Sequence, residues 1–338
     1  MATRFSAIFL VSALAMAAHG GSAVAQQPEE QTRLDILTLP AGSVANGVAN
    51  ALAAVVSRRS PVALLPVPQA GPQVSVPALE RNEGAFTLIN VDDAHRAYRG
   101  LKPNYQQSYR SLRLAAVGYE NRVSALATVR FGIKTFADLK GRRVAGTFAA
   151  HQSCADIANA FMANVGLKWE DVVQVPVQSA VAGVQALGDG RIEVNSCAAT
   201  GMGIVKEVNL RLPLRFISID LHDDAIKRAR EHFAGLRPVL IKAGSTDGAP
   251  EDAYVFDYDF FLATHDKVPE QSVYAVVKAI WDNLGELEET NPTFKLWHQS
   301  RMANVDVTLP YHPGAIKFYK EKGVWTPEMQ TLNDTLLQ

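Results

Sequence analysis

Leu34-Asp35-Ile36-Leu37-Thr38-Leu39, the turn Pro40-Ala41-Gly42-Ser43, and the run from Val44 to Val56 decide the fold class. The first six residues are short, apolar and β-leaning. The Pro/Gly turn stops the strand, and Ser43 is a helix N-cap candidate. Apolar residues at Val44, Val48, Leu52 and Val55/Val56 then recur at helical spacing. One strand, one turn and one amphipathic helix make the opening half of a βαβ unit, and the pattern repeats. Pro61–Val67 is a second strand and Gln69–Pro77 a Gly/Pro loop leading into a short helix through Leu79. Ala85–Asn90 is a third strand and Asp92–Arg99 a polar helix. Parallel strands with crossover helices follow.

A second series of the same kind begins near Phe136. Phe136–Val144 reads as a helical turn, a glycine stop and a new strand. Ser153–Val165, Val181–Leu187, Gly203–Val208 and Asp224–His232 have helical character, and Val172–Pro176, Ile192–Ala198 and Phe216–Asp220 strand character. Two long β-leaning stretches separate the series from what flanks it. Leu112–Arg130 carries Gly118 in its middle and reads as a strand hairpin or as one extended hinge stretch, and Tyr254–Thr264 as an extended return. Ser272–Glu288 has the spacing of one helix, and Gly314–Lys322 is another. Two β/α lobes joined by extended hinge strands describe an α/β clamshell. The expected division is residues 26–120 for the first part of lobe 1, 121–250 for lobe 2 with its hinge strand, and 251–338 for the return strand and C-terminal helices packing on lobe 1.

The first 25 residues read as a cleaved signal peptide: Arg4, an apolar run from Ala7 to Ala18, and Ala23-Val24-Ala25 as the cleavage motif, with Gln26 as the new N-terminus. Their removal takes away Arg4 and no acid, leaving 32 Lys+Arg against 34 Asp+Glu, a net charge of −2. That balance excludes the basic stripe a nucleic-acid binder needs. No later apolar run reaches membrane-spanning length. Only Cys154 and Cys197 are present. In an oxidising compartment they form one disulfide or remain two small buried thiols, and spacing alone leaves both open.

The tail Leu309-Pro310-Tyr311-His312-Pro313-Gly314-Ala315 leading to Tyr319-Lys320-Glu321-Lys322-Gly323 resembles the TAXI group of solute receptors for TRAP transporters. So do the run from Ile133 to Val144, Thr87–Ala94 and Gln185–Gly190. The resemblance implies a type II periplasmic-binding fold, no catalysis and no cofactor. It further implies a periplasmic monomer that delivers a small carboxylate or amino acid to TRAP membrane permease subunits. Two loops depart from the group's pattern. Ala41–Val48 lacks the paired aromatics, and Phe148–Cys154 replaces a Gly-Ser-Gly-Thr-like loop, so ligand identity is not inherited.

Ligands of open α/β sheets sit where strands end and helices begin. Four junctions supply candidates: Ser43 and Asn46; Asn90 and Asp92; Thr147, His151, Gln152 and Ser153; and Thr200. Ser43 and Asp92 also read as helix-start residues, and His151 as a surface histidine. Arg122 in the hinge-like stretch could clamp a carboxylate or lie solvated. The junctions are rich in neutral donors, which predicts an anionic or zwitterionic ligand held by hydroxyls, amides and backbone N–H groups. A sensory receptor feeding a membrane kinase is an alternative. A periplasmic hydrolase is another: Asp252, Asp257 and Asp259 read as one face of a strand, although no catalytic motif accompanies them.

Overall fold

The computed structural model describes residues 31–149 and 151–338; the export segment expected over residues 1–25 lies outside them. The first series is β1 (Thr32–Thr38), α1 (Val44–Arg59), β2 (Val62–Pro68), α2 (Pro72–Glu80), β3 (Phe86–Asn90) and α3 (Val91–Arg99). The long strand β4 (Leu112–Thr128) follows. The second series is β5 (Arg143–Phe148), α4 (Gln152–Asn164), β6 (Val173–Val177), α5 (Ala180–Gly188), β7 (Val194–Ala199), α6 (Gly203–Asn209), β8 (Leu214–Phe216), α7 (Asp223–His232) and β9 (Arg237–Ile241). The chain returns through β10 (Ala253–His265). It ends in α8 (Glu270–Asp282), α9 (Leu284–Thr290), α10 (Pro313–Glu321) and α11 (Pro327–Leu337). No described helix is long and apolar enough to cross a membrane.

The strands join into one mixed sheet of order β2-β1-β3-β10-β4-β7-β5-β6, with β8 added to β4 and β9 to β10. Its two ends are parallel three-stranded half-sheets, β2-β1-β3 and β7-β5-β6. Between them run β4 and β10, antiparallel to each other over most of their length, with Phe261 opposite Val117 and Asp257 opposite Arg122. β10 borders the first half-sheet and β4 the second. β10 pairs with β3 through Phe260–Thr264 and with β9 through Ala253–Asp257. β4 pairs with β7 beyond Val123. Helices flank the sheet, which is the type II periplasmic-binding-protein arrangement. Its core includes Phe86, Phe136, Phe161, Phe256 and Phe261, all fully buried.

Of the two readings of the stretch around Gly118, the hairpin fails and the extended one holds: it is one continuous strand of 17 residues. Gly118 does not take the left-handed conformation that a tight turn would need. A Cβ there would lie 2.7 Å from the Phe260 carbonyl oxygen and 3.4 Å from Trp297, so glycine permits close approach. The single helix expected over 272–288 breaks at Asn283, whose side-chain amide bonds the Ala279 carbonyl at 2.8 Å and competes with the helix backbone. The strand expected over Phe216–Asp220 is shorter and earlier, at Leu214–Phe216. β9 went unread because Pro238 interrupts its pattern; it is tolerated because β9 pairs with β10 alone.

Candidate functional site

β1 ends at Thr38, and the chain turns through Gly42, whose φ of +89° only glycine adopts without strain. The turn delivers Ser43 to the start of α1, where its hydroxyl accepts from the Asn46 N–H at 3.1 Å. The same turn touches the opposite half of the molecule, since the Gly42 carbonyl accepts from the Ile204 N–H at 3.3 Å. Further contacts cross between the halves, the Arg96 guanidinium donating to the His232 carbonyl at 3.5 Å among them. The Gln73 side chain accepts from the Gln152 N–H at 3.4 Å, and the Asn104 amide donates to Asp156 at 2.9 Å.

Behind these contacts lies a small inner pocket of about 40 Å³, room for a few water molecules. Side chains alternate along a strand. β4 therefore presents Tyr119, Asn121 and Val123 to the pocket, and β10 presents Tyr258 and Phe260. Tyr119 stacks on Phe260 with ring centroids 4.9 Å apart. The Asn121 amide donates to the Tyr258 hydroxyl at 2.8 Å. Burial pushes the phenols of Tyr119 and Tyr258 well up, so both stay protonated. The Tyr119 hydroxyl is shut off from solvent and has no hydrogen-bond partner among the described residues.

The second half closes the pocket with His151, Cys154, Ala180, Cys197 and Met202. Cys154 and Cys197 form a disulfide with Cα atoms 5.5 Å apart, tying the first turn of α4 to β7. The His151 Nδ1 lies 3.5 Å from the Cys154 sulfur, and burial pushes the imidazole down to about 4. At neutral pH His151 is uncharged, with one ring nitrogen able to donate and the other to accept.

Beside the inner pocket is an outer cleft of about 500 Å³, which shares Val44, Asn121 and Met202 as walls. It holds the other face of β4, Glu120 and Arg122. That face also carries an ion-pair network. Arg237 bonds Asp257 at 2.8 Å and Asp259 at 3.1 Å, while Arg301 bonds Asp259 at 2.7 Å and also Glu120. The three aspartates thus do not share one face. Asp252 precedes β10 with opposite parity and pairs with Lys242 at 2.9 Å, in solvent. Asp257 and Asp259 are only 5% exposed, and arginines occupy both. Burial raises the Asp257 pKa against the pull of Arg237.

Of the residues expected at the site, Ser43 and His151 line the inner pocket, and Arg122 and Thr200 the outer cleft. The other six line neither. Asn90 caps α3 and gives both side-chain atoms to Asp93, each bond 2.7 Å. Asp92 pairs with Arg96 at 2.6 Å. Asn46 accepts from the Asn50 amide at 3.2 Å, and Thr147 is exposed. Gln152 reaches Asp156, and Ser153 is fully buried beside Asp93. Asp93 also accepts from Gln73 and Tyr105, and burial pushes its carboxyl up to about 6. Sequence reasoning missed Tyr119, Asn121, Tyr258 and Phe260. The alternation of Tyr119-x-Asn121 and Tyr258-x-Phe260 within the two long strands was the available signal.

The profile of the NMT1-like family matches residues 36–323, which spans both half-sheets and both long strands. The chain belongs to the NMT1-like family. Solved structures give the same fold at low identity. One described as a periplasmic transporter is 12% identical, covering 90% of this chain and 95% of its own, with a TM-score of 0.55. PhnD1 from Prochlorococcus marinus, in complex with methylphosphonate, is 10% identical over 88% of this chain and 100% of its own, with a TM-score of 0.54. MatC from Rhodopseudomonas palustris, with bound malate, is 14% identical over 90% and 99%, with a TM-score of 0.53. At these identities the likeness to this NMT1-like chain concerns the fold.

Proposed function

We propose that the chain is an extracytoplasmic solute receptor that captures a small carboxylate or amino-acid-like ligand in the inner pocket. Residues 26–120 with 251–338 form one lobe and 121–250 the other, and bending of β4 and β10 opens the pocket between them. The contacts Gly42–Ile204, Gln73–Gln152 and Asn104–Asp156 then belong to a closed state whose pocket, about 40 Å³, admits only water, and a ligand needs the halves to part further. The observation that carries the reading is the Tyr119 hydroxyl, a buried donor without a partner on the floor of an aromatic pocket where strands end and helices begin. An unmet buried donor costs about 1–3 kcal/mol, which a ligand oxygen would recover. Ser43 and neutral His151 add two further groups able to donate. The malate and methylphosphonate bound by similarly folded proteins are small anions, which agrees with a ligand of this class.

Export through residues 1–25 and delivery to a TRAP-type permease complete the proposal; they rest on the signal-like N-terminus and the TAXI-like tail. Calorimetry on the Tyr119→Phe variant tests the pocket. Affinity for a carboxylate that binds the unaltered protein should fall about tenfold, while the melting temperature of the ligand-free protein should rise, because the unmet buried hydroxyl is gone. Equal affinity would remove Tyr119 from the site.

A further inference from the structure

The outer cleft carries charge that the receptor reading does not use. Arg122 on β4, Lys206 on α6 and Lys295 in the loop after α9 face it from three separate elements. Among the described residues, none of the three is in an ion pair. The acids nearest Arg122 along the sheet are already engaged. Asp257, opposite it in register, is held by Arg237, and Glu120 by Arg301. The Arg122 Nε is shut off from solvent and has no acceptor. Among the described residues, Asp247 is the one acid lining the cleft without a cationic partner, and it accepts from the Asn209 amide at 3.5 Å. Counted together with the adjoining network, in which Arg237 and Arg301 face Glu120, Asp257 and Asp259, five cations stand against four acids, and the positive surplus lies with Arg122, Lys206 and Lys295. The hydroxyls of Thr200, Ser245, Thr246 and Thr293 surround them.

We propose that the outer cleft is a second anion site, distinct from the inner pocket, that takes a small divalent oxyanion of the phosphate, sulfate or dicarboxylate kind. Arg122 lines the cleft with a guanidinium outside any ion pair among the described residues, and its planar fork of donors suits such anions. The two lysines supply mobile counter-charge at the mouth. Arg122 and Tyr119 point to opposite faces of β4, so the two sites meet only at their shared walls Val44, Asn121 and Met202. The site also has a mechanical consequence. Thr293 and Lys295 follow α9, whereas Thr200 and Lys206 belong to the second series. These loops lie close, a Cβ on Gly201 falling 3.7 Å from the Thr293 hydroxyl. An anion bridging them holds the two loops together and favours the arrangement in which the halves touch. Differential affinity for one arrangement is what an effector requires.

The test titrates sulfate, phosphate and malonate into the full protein by calorimetry at constant ionic strength, with chloride and formate as monovalent controls. The divalent anions should bind saturably and the controls should not. Arg122→Gln, and separately the Lys206→Gln/Lys295→Gln double variant, should weaken binding about tenfold or more. The exposed lysines keep the test valid if Arg122→Gln folds poorly, and Arg122→Lys then serves for the strand position. A selenate-soaked crystal should show its anomalous peak beside Arg122. Absence of saturable binding, equal affinity in all variants, or a selenate peak in the inner pocket would each overturn the second site. The last result leaves the receptor reading standing, and failure of the receptor reading leaves these titrations unaffected.

Discussion

The disulfide gives the sharpest stability prediction. Cys154 and Cys197 are 43 residues apart. Closing a loop of that length in the unfolded chain removes entropy equivalent to about 4 kcal/mol at room temperature. The bond also ties the first turn of α4 to β7, and both cysteines line the inner pocket, so its loss loosens one pocket wall. Replacing both cysteines in a Cys154→Ala/Cys197→Ala variant, or reducing the unaltered protein, should lower the unfolding free energy by about 2–4 kcal/mol, since strain and residual structure reduce the ideal value. Guanidinium unfolding with and without dithiothreitol measures it, with thiol counting to confirm the redox state. A loss below about 1 kcal/mol in fully reduced protein would refute the loop-closure reasoning. Two reactive thiols in denatured, unreduced protein would refute the bond itself.

Acid should expose His151. Its folded pKa of about 4 lies below the ordinary 6.5, so the fold favours the neutral ring. The stabilisation is fully present above pH 6.5 and is lost as pH falls towards 4, about 3 kcal/mol in all. Asp93 acts in the opposite sense, because its carboxyl is raised to about 6 and burial is easiest when it is protonated. The comparison is therefore between the unaltered protein and His151→Gln, whose unfolding midpoint should fall less between pH 7 and 4.5; parallel pH profiles would contradict the assignment. Gly118→Ala should cost about 1–3 kcal/mol, because the added methyl meets the Phe260 carbonyl, and a thermal midpoint within error of the parent would show that β4 and β10 can separate there. Mass spectrometry of exported protein should find Gln26 as the first residue, and an intact Met1 would remove the cleavage after Ala25.

The layer order was legible because strand and helix periods alternate plainly in both series, and Ser43, Gly42 and Asn90 carry recognisable end signals. The long strands were harder. Glycine in a β-leaning run signals either a turn or a close approach, and local sequence does not distinguish them; at Gly118 the deciding partner, Phe260, lies 142 residues away. The site residues divide for a related reason. Junction residues such as Asn90 and Asp92 are chemically suited to a ligand, but Asp93 and Arg96 satisfy them first, which only tertiary contacts reveal. The pocket floor comes instead from the middle of the long strands. There Tyr119 and Tyr258 look like core aromatics until their neighbours across the sheet are known.

The central claim is capture of a small anion or zwitterion in the inner pocket, and a thermal-shift screen tests it most directly. The protein is unfolded, dialysed and refolded to remove any co-purified ligand, then screened against dicarboxylates, 2-oxoacids and amino acids in buffer containing excess sulfate, which saturates the outer cleft. At a hundredfold excess over its dissociation constant a ligand stabilises the fold by about 2.7 kcal/mol. At least one of these compounds should raise the melting temperature, and Tyr119→Phe should diminish the shift. A refolded, cooperative protein that responds to none of them would contradict it.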